Sequence, residues 1–170
     1  LYNLKKITGN FITWEACITS YEGIDKLTEI GGDFEVRLPY SLESFEGLES
    51  LETIGGNFKV IDKLALSSLS SFKGLSSLKS IGGDFEVNAK SSSLASFEGL
   101  ENLTNIGDKL TIKGCSSLNN IDALKNIESL NDISITTCSK LYDFCVLKNV
   151  VQNMSGTFYV NDNGYNPTKY

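Results

Sequence analysis

The sequence predicts a repeat solenoid, an array of stacked coils with one short parallel strand per coil and short helical or irregular returns. Three observations carry that prediction. The first is self-similarity: Leu48-Glu-Ser-Leu51-Glu-Thr-Ile54-Gly-Gly-Asn-Phe58-Lys-Val60 recurs almost letter for letter at 75–87 and again at 24–36, with weaker copies at 1–13, 100–112, 124–135 and 147–160. The second is period. Anchored on the aromatic position, the units begin their strands at Phe11, Phe34, Phe58, Phe85, Leu110, Ile133 and Phe158, separated by 23, 24, 27, 25, 23 and 25 residues. The third is a change of spacing within each unit. Phe58-x-Val60 alternates with period two, as a strand must, whereas Leu42, Phe45, Leu48, Leu51 and Ile54 recur every third residue. A period of three suits 3₁₀ or single-turn corners better than an amphipathic helix.

Composition sets the class. The chain has 170 residues, 41% of them hydrophobic and 21% charged, with a mean hydropathy of −0.08. That fits neither a disordered tail nor a membrane protein, and a chain of this length buries roughly 70% of its unfolded surface. No apolar run reaches a transmembrane length. The sequence contains no histidine, so His-based triads, imidazole relays and His-ligated zinc are excluded within it. With a formal net charge of −6 and a pI near 4.7, and Lys and Arg nowhere clustered, nucleic acid is not an expected partner. No cofactor or metal is expected. The first residue is Leu1 and no signal-peptide h-region is visible, so the chain reads as processed or cut from something longer.

Each element follows from the repeat. Inward columns stack coil on coil, the first being the aromatic spine and the second Thr13, Val36, Val60, Val87, Ile112, Ile135 and Val160. In the Gly-Gly before each strand, the column Gly9, Gly32, Gly56, Gly83, Asp108, Gly156 reads as a left-handed turn. The glycines of Phe-x-Gly-Leu (Gly47, Gly74, Gly99) give way to Ala123 and Val146, so that column reads as wanting only a small residue. Length varies between strand and next leucine, at 36–42, 60–69 and 87–94, with the longest loop at 61–68. Such an edge and the adjoining sheet face commonly bind.

These lengths are leucine-rich-repeat lengths, and L-x-x-L-x-x-I-G-G-x-F-x-V preceded by L-x-S-F-x-G resembles the receptor L-domain branch of leucine-rich-repeat proteins over essentially the whole chain. The resemblance implies a right-handed, β-helix-like solenoid of the kind found in receptor ectodomains, fungal cell-wall proteins and secreted or surface proteins of gut bacteria. The closing Asn163-Gly-Tyr-Asn-Pro-Thr168 is similar to the tail of those bacterial proteins. It implies binding rather than catalysis. There is no dense cysteine module, which points away from receptor tyrosine kinases, and Leu1 enters mid-unit without a cap.

Strand alternation makes two columns point outward: Ile12, Glu35, Lys59, Glu86, Thr111, Ser134 and Tyr159, then Trp14, Arg37, Ile61, Asn88, Lys113, Thr136 and Asn161. Glu35, Lys59 and Glu86 read as a ladder of alternating sign at about 4.8 Å per rung, or simply as a solvated face. Glu35 and Glu86 would lie about 9.5 Å apart, at the upper end of an inverting glycosidase pair. Lys59 between them would hold both ionised, against the needs of a general acid. Trp14 reads either as a contact residue or as a cover on the open first coil.

Cys115 and Cys138 share a column in adjacent coils and are the disulfide candidates, with Cys138–Cys145 as competitor and stacked free thiols as the alternative. Cys17 and Cys145 should lie roughly 24 Å apart, too far to bond. A Cys115–Cys138 bridge would contribute roughly 3.5 kcal/mol in the chain-entropy account. Asn102-Leu-Thr104 and Asn153-Met-Ser155 match the glycosylation sequon.

The sequence thus gives an expectation of one leucine-rich-repeat solenoid domain over 1–170, its N-terminal repeat incomplete and 161–170 a tail. Its expected role is non-catalytic recognition or adhesion, secreted or on the cell surface, with a protein or glycan partner. Ligand contacts are expected at Trp14, Glu35, Arg37, Lys59, Ile61, Glu86, Asn88, Lys113 and Tyr159. A carbohydrate-active enzyme using Glu35 and Glu86 and a structural spacer are the alternatives. More chain is expected before Leu1, with self-association through the open N-terminal coil as the alternative for an isolated domain, and no membrane insertion by this segment is expected.

Overall fold

The computed structural model describes residues 1–14, 17–37, 41–62, 68–90 and 93–168. The chain is a parallel β-solenoid. In chain order its strands are β1 (Lys6–Ile7), β2 (Phe11–Trp14), β3 (Glu29–Ile30), β4 (Phe34–Arg37), β5 (Thr53–Ile54), β6 (Phe58–Asp62), β7 (Ser80–Ile81), β8 (Phe85–Ala89), β9 (Asn105–Ile106), β10 (Lys109–Lys113), β11 (Asp132–Thr136) and β12 (Phe158–Asn161). The main sheet has seven parallel strands in the order β12-β11-β10-β8-β6-β4-β2. Its register pairs Phe11 with Phe34, Phe34 with Phe58, Phe58 with Phe85, Phe85 with Leu110, Leu110 with Ile133 and Ile133 with Phe158. The aromatic column read from the repeat is therefore the register of the sheet.

A second sheet, β1-β3-β5-β7-β9, is built from the residue pair just before each Gly-Gly. One strand per coil was expected; five coils carry two. Pairs such as Glu29-Ile30 and Thr53-Ile54 are too short for their alternation to stand out from the period-three leucines beside them, but each stacks on its copy one coil away.

The period of three is a chain of turns. Leu48 N–H donates to the Phe45 carbonyl at 3.1 Å and Leu51 N–H to the Leu48 carbonyl at 2.9 Å, and the pattern repeats from Phe72 to Leu78 and from Phe97 to Leu103. Every third side chain points inward and is buried. Two aromatic stacks result: Phe11, Phe34, Phe58 and Phe85 run parallel with centroids 5.0 to 5.2 Å apart, and Tyr21, Phe45, Phe72 and Phe97 run beside them at 5.0 to 5.8 Å. Across the two stacks the rings meet edge to face, which is the favourable quadrupole arrangement.

The Gly-Gly column is not the left-handed position that the sequence assigns it, while the Phe-x-Gly-Leu column is both left-handed and, as read, short of room: a Cβ on Gly74 would overlap the Phe45 carbonyl oxygen. Gly47, Gly74 and Gly99 have φ of +95°, +99° and +106°, so the left-handed position is the Phe-x-Gly-Leu column. The Gly-Gly pair is instead a site of close approach: a Cβ on Gly31 would lie 2.6 Å from the Thr8 carbonyl oxygen, and one on Gly56 would overlap the Asp33 side chain. Where the left-handed glycine is replaced by Ala123 and Val146, the return becomes helical, as a 3₁₀ turn at Asp122–Asn126, then a 3₁₀ turn at Cys145–Leu147 leading into α1 (Lys148–Asn153). A residue with a Cβ stays right-handed and carries the turn onward.

An unforeseen ladder stitches the coils at the residue before each main strand. Asn10 Oδ1 accepts the Asp33 N–H at 2.8 Å, Asp33 Oδ1 the Asn57 N–H at 2.7 Å, Asn57 Oδ1 the Asp84 N–H at 2.7 Å, and Asp84 Oδ1 the Lys109 N–H at 3.2 Å. The column Asn10, Asp33, Asn57, Asp84 was legible as an Asn-or-Asp preference, a short acceptor where a backbone donor needs one.

Phe58→Ala is expected to cost about 3–5 kcal/mol, since it opens a cavity where both stacks meet. Glu86→Ala should stay within about 0.5 kcal/mol. Gly74→Ala, forced to hold a positive φ against the Phe45 carbonyl, should cost about 1–3 kcal/mol. Denaturant melts of the three variants check this ranking.

Candidate recognition face

Main-strand residues between the inward columns form one lateral face, and the structure divides it unequally. At its N-terminal end Trp14 is 61% exposed and Ile12 is exposed beside it. The Arg37 guanidinium lies 5.4 Å from the Trp14 ring centroid, a cation–π contact. Arg37 also clamps Glu35, with Nε 2.7 Å and Nη2 2.5 Å from Oε2. Glu35 is only 6% exposed. It was read as an outward, solvated carboxylate; the arginine two residues along covers it.

That corrects the expected ladder. Glu35, Lys59 and Glu86 are in register as read, but the ion pair runs along the strand from Arg37 rather than across it from Lys59. Lys59 makes no ion pair with either glutamate among the described residues. Glu86 accepts a hydrogen bond from Asn88 Nδ2 at 3.4 Å. Lys59, Ile61, Glu86 and Asn88 are all half-buried, packed by their neighbours on adjacent rungs, while Lys113 is exposed. Tyr159, on β12, is exposed at the far end of the face. Trp14, Arg37 and Glu35 are thus brought together; Lys113 and Tyr159 lie several strands away. The loop read at 61–68 falls mostly outside the described residues.

The cysteines are all free thiols. Cys115 and Cys138 are buried, stacked in the column the repeat gives them, and their Sγ atoms donate to the Lys113 and Thr136 carbonyls. A hydrogen bond to Cys138, and then burial, push the Cys115 thiol far up from its ordinary pKa. Cys17 and Cys145 are exposed. The Asp143 carboxylate accepts the Cys145 N–H at 2.7 Å and raises the thiol pKa of that residue. Burial raises the Tyr21 phenol likewise, its hydroxyl 3.2 Å from Thr13 Oγ1.

Among the described cavities, the most apolar is one of about 450 Å³ at the C-terminal end, walled by Tyr142, Phe144, Leu147, Val151, Phe158 and Tyr165. Sequence reasoning passed over it because Phe144, Leu147 and Phe158 read as ordinary core columns, and nothing in the repeat marks Tyr142 or Tyr165 as lying beside them. A polar hollow of about 410 Å³ lies on the return side, beside Asn102, Asn126 and Asn153. Asn102 and Asn126 are already used in stitching, donating to the Ser76 and Glu101 carbonyls at 2.7 Å. No described His, Cys, Asp or Glu side chains cluster as a metal site, and no helix is long and apolar enough to cross a membrane.

No family model, curated protein or solved structure matches the chain.

Arg37→Ala should cost about 1–3 kcal/mol, because it strands a buried carboxylate, whereas Lys59→Ala should stay within about 0.5 kcal/mol. Adding Glu35→Gln to Arg37→Ala should recover part of the loss, read by denaturant midpoint. In native protein, Ellman's reagent should titrate Cys17 and Cys145 only, with Cys115 and Cys138 reacting after unfolding. Asp143→Asn should speed the Cys145 reaction near neutral pH, since removing the carboxylate lowers the thiol pKa and raises the thiolate fraction.

Proposed function

We propose that this chain is a recognition module, non-catalytic and of the leucine-rich-repeat type, that works on the extracellular side and binds a protein or glycan surface through the lateral face of its main sheet. One observation carries the reading: an indole 61% exposed on a rigid strand, with a guanidinium held over it by a buried carboxylate. That is a preordered platform with an apolar face, a cation and neighbouring polar groups, the mixture found at interface hot spots. Little conformational entropy remains to be lost on binding, since Arg37 is already fixed from both sides.

The repeat pattern supports the leucine-rich-repeat assignment, and the position of the face supports binding there. Return segments are tied by turns at every third residue, whereas outward strand positions vary between coils without disturbing the core. Chemistry at Glu35 is disfavoured by its surroundings. A general acid must hold a proton, and a carboxylate clamped by arginine is stabilised as the anion. Neither Glu35 nor Glu86 lines any of the described cavities.

A glycan- and protein-array screen of the purified chain supplies the ligand. With it, Trp14→Ala should weaken binding at least tenfold and leave the melting curve of the protein unchanged. As a control on the return side, replacing Glu52 and Lys79 together, which pair with each other at 2.9 Å, should leave affinity within twofold. Loss of binding in that pair with none at Trp14 would move the site to the other side of the solenoid.

A further inference from the structure

Two nucleophilic side chains stand in the core with no part in the recognition face. Cys115 and Cys138 are fully buried and hold the same position in adjacent coils, two residues beyond the register pair Lys113 and Thr136 on β10 and β11. The local backbone explains why both point inward. Each follows a left-handed residue, Gly114 at φ +76° and Thr137 at φ +59°, which turns the chain out of the strand in the same way in both coils. Threonine rarely holds that conformation, because its branched Cβ crowds the backbone there, so the β11 coil keeps the turn at a cost. Gly114 N–H donates to the Thr136 carbonyl at 3.0 Å and Thr137 N–H to the Asn161 carbonyl at 3.1 Å. On the far side Asn163 Oδ1 accepts the Cys138 N–H at 2.9 Å, and its Nδ2 donates to the Ile135 carbonyl at 2.9 Å. The two cysteine backbones are thereby held one rung apart, about 4.8 Å, inside the Cα separation of about 4.4–6.8 Å that a disulfide spans.

The thiols are not equivalent. A hydrogen bond from Cys115 lowers the Cys138 pKa from its ordinary value, with burial opposing it, so Cys138 is the sulfur that carries the charge when the pair ionises. Their place in the array matters as well. The ring stacks end at Phe85 and Phe97, and the coils that follow fill those columns with Leu110, Ile121 and Ile133. The 3₁₀ turn at Asp122–Asn126 lies between the two cysteines in the chain. Each coil of a solenoid is held by its neighbours alone, and the β10 and β11 coils meet without ring-on-ring contact in those columns.

We propose that Cys115 and Cys138 form a reversible cross-link, closed by a small-molecule disulfide, that ties the β10 coil to the β11 coil from inside the core. The Cys138 thiolate attacks one sulfur of the small disulfide, forming a mixed disulfide and expelling a thiolate that takes up the proton Cys138 has lost. Cys115 Sγ, giving up its own proton, then attacks the Cys138 sulfur and expels the second thiolate, which is protonated in turn. Two protein thiols are oxidised and one small disulfide is reduced to two thiols. The bond closes a loop of 23 residues, from 115 to 138. Stacking holds equivalent Cβ atoms about one rung apart, whereas a disulfide draws them to about 3.8 Å. A bond that closes against the spacing of its column is more readily reduced than an unstrained one, and this makes the link reversible. Both sulfurs are buried, so exchange waits on local opening of this corner and is slower than at exposed Cys17 or Cys145.

The test uses the chain with Cys17→Ser and Cys145→Ser, both at exposed positions, so that only the buried pair reacts. Incubated over days with oxidised glutathione in buffer without denaturant, it should lose both thiols, counted with Ellman's reagent after unfolding, and two hydrogens of mass, with no glutathione retained. Peptide mapping should join Cys115 to Cys138. The oxidised form should unfold at a higher denaturant midpoint than the reduced one, and dithiothreitol should restore both the thiols and the lower midpoint. Cys115→Ala in the same background should instead retain one glutathione, on Cys138. Should the double variant lose its cooperative melt, mapping of the oxidised wild-type chain takes its place, and a Cys138–Cys145 bridge there counts against the proposal. Two thiols still present after incubation, glutathione retained on both cysteines without a bridge, or a midpoint that oxidation leaves unchanged would each overturn it.

Discussion

The structure depends on one constraint: every position must pack against its own repeat about 4.8 Å away. A side chain that cannot tolerate a copy of itself at that distance cannot occupy an inward column. Phenylalanine can, because rings stacked at 5.0 to 5.2 Å also leave edges for the second stack to meet. Glycine is required where the backbones themselves come that close. The Asn-or-Asp ladder satisfies the same condition with polar atoms, since a short acceptor in one coil reaches a backbone donor in the next and each coil does this once. Cooperativity between neighbouring coils follows from this, because removing one rung exposes two faces.

Much of this was legible because the sequence repeats. Register could be read from Phe11, Phe34, Phe58 and Phe85 without knowing where the strands lay, since equal positions in equal units must stack. What was lost was whatever the repeat does not encode directly. The two glycine columns look alike in sequence, but φ and crowding both select glycine, and composition alone cannot separate them. Replacement by Ala123 and Val146 seemed to show tolerance for a Cβ; it marks instead the coils where the return becomes helical. The cavity at the C-terminal end was invisible for a different reason. Phe144 and Leu147 are buried in the same columns as Phe45 and Leu48, so nothing local in the sequence marks them as cavity walls.

The candidate face shows how a local contact overrides a pattern. Glu35, Lys59 and Glu86 do lie rung by rung, and opposite charges on adjacent strands attract. Arg37 nonetheless takes the Glu35 carboxylate through two donors. A guanidinium presents a fork that fits a carboxylate oxygen from more than one nitrogen, while the lysine ammonium is a point charge that solvation rewards equally well. Trp14 gives the guanidinium a second surface to rest on. Sequence spacing placed these three residues on one face, but only their reach decided which charges paired.

Face and ends divide the exposed chemistry between them. The middle of the face is polar and half-buried, with Lys59, Glu86 and Asn88 packed by their neighbours, so it offers little apolar area to a partner. Among the described residues, exposed large apolar side chains lie in the first and last coils, and Trp14 belongs to both, being on the lateral face and on the edge strand.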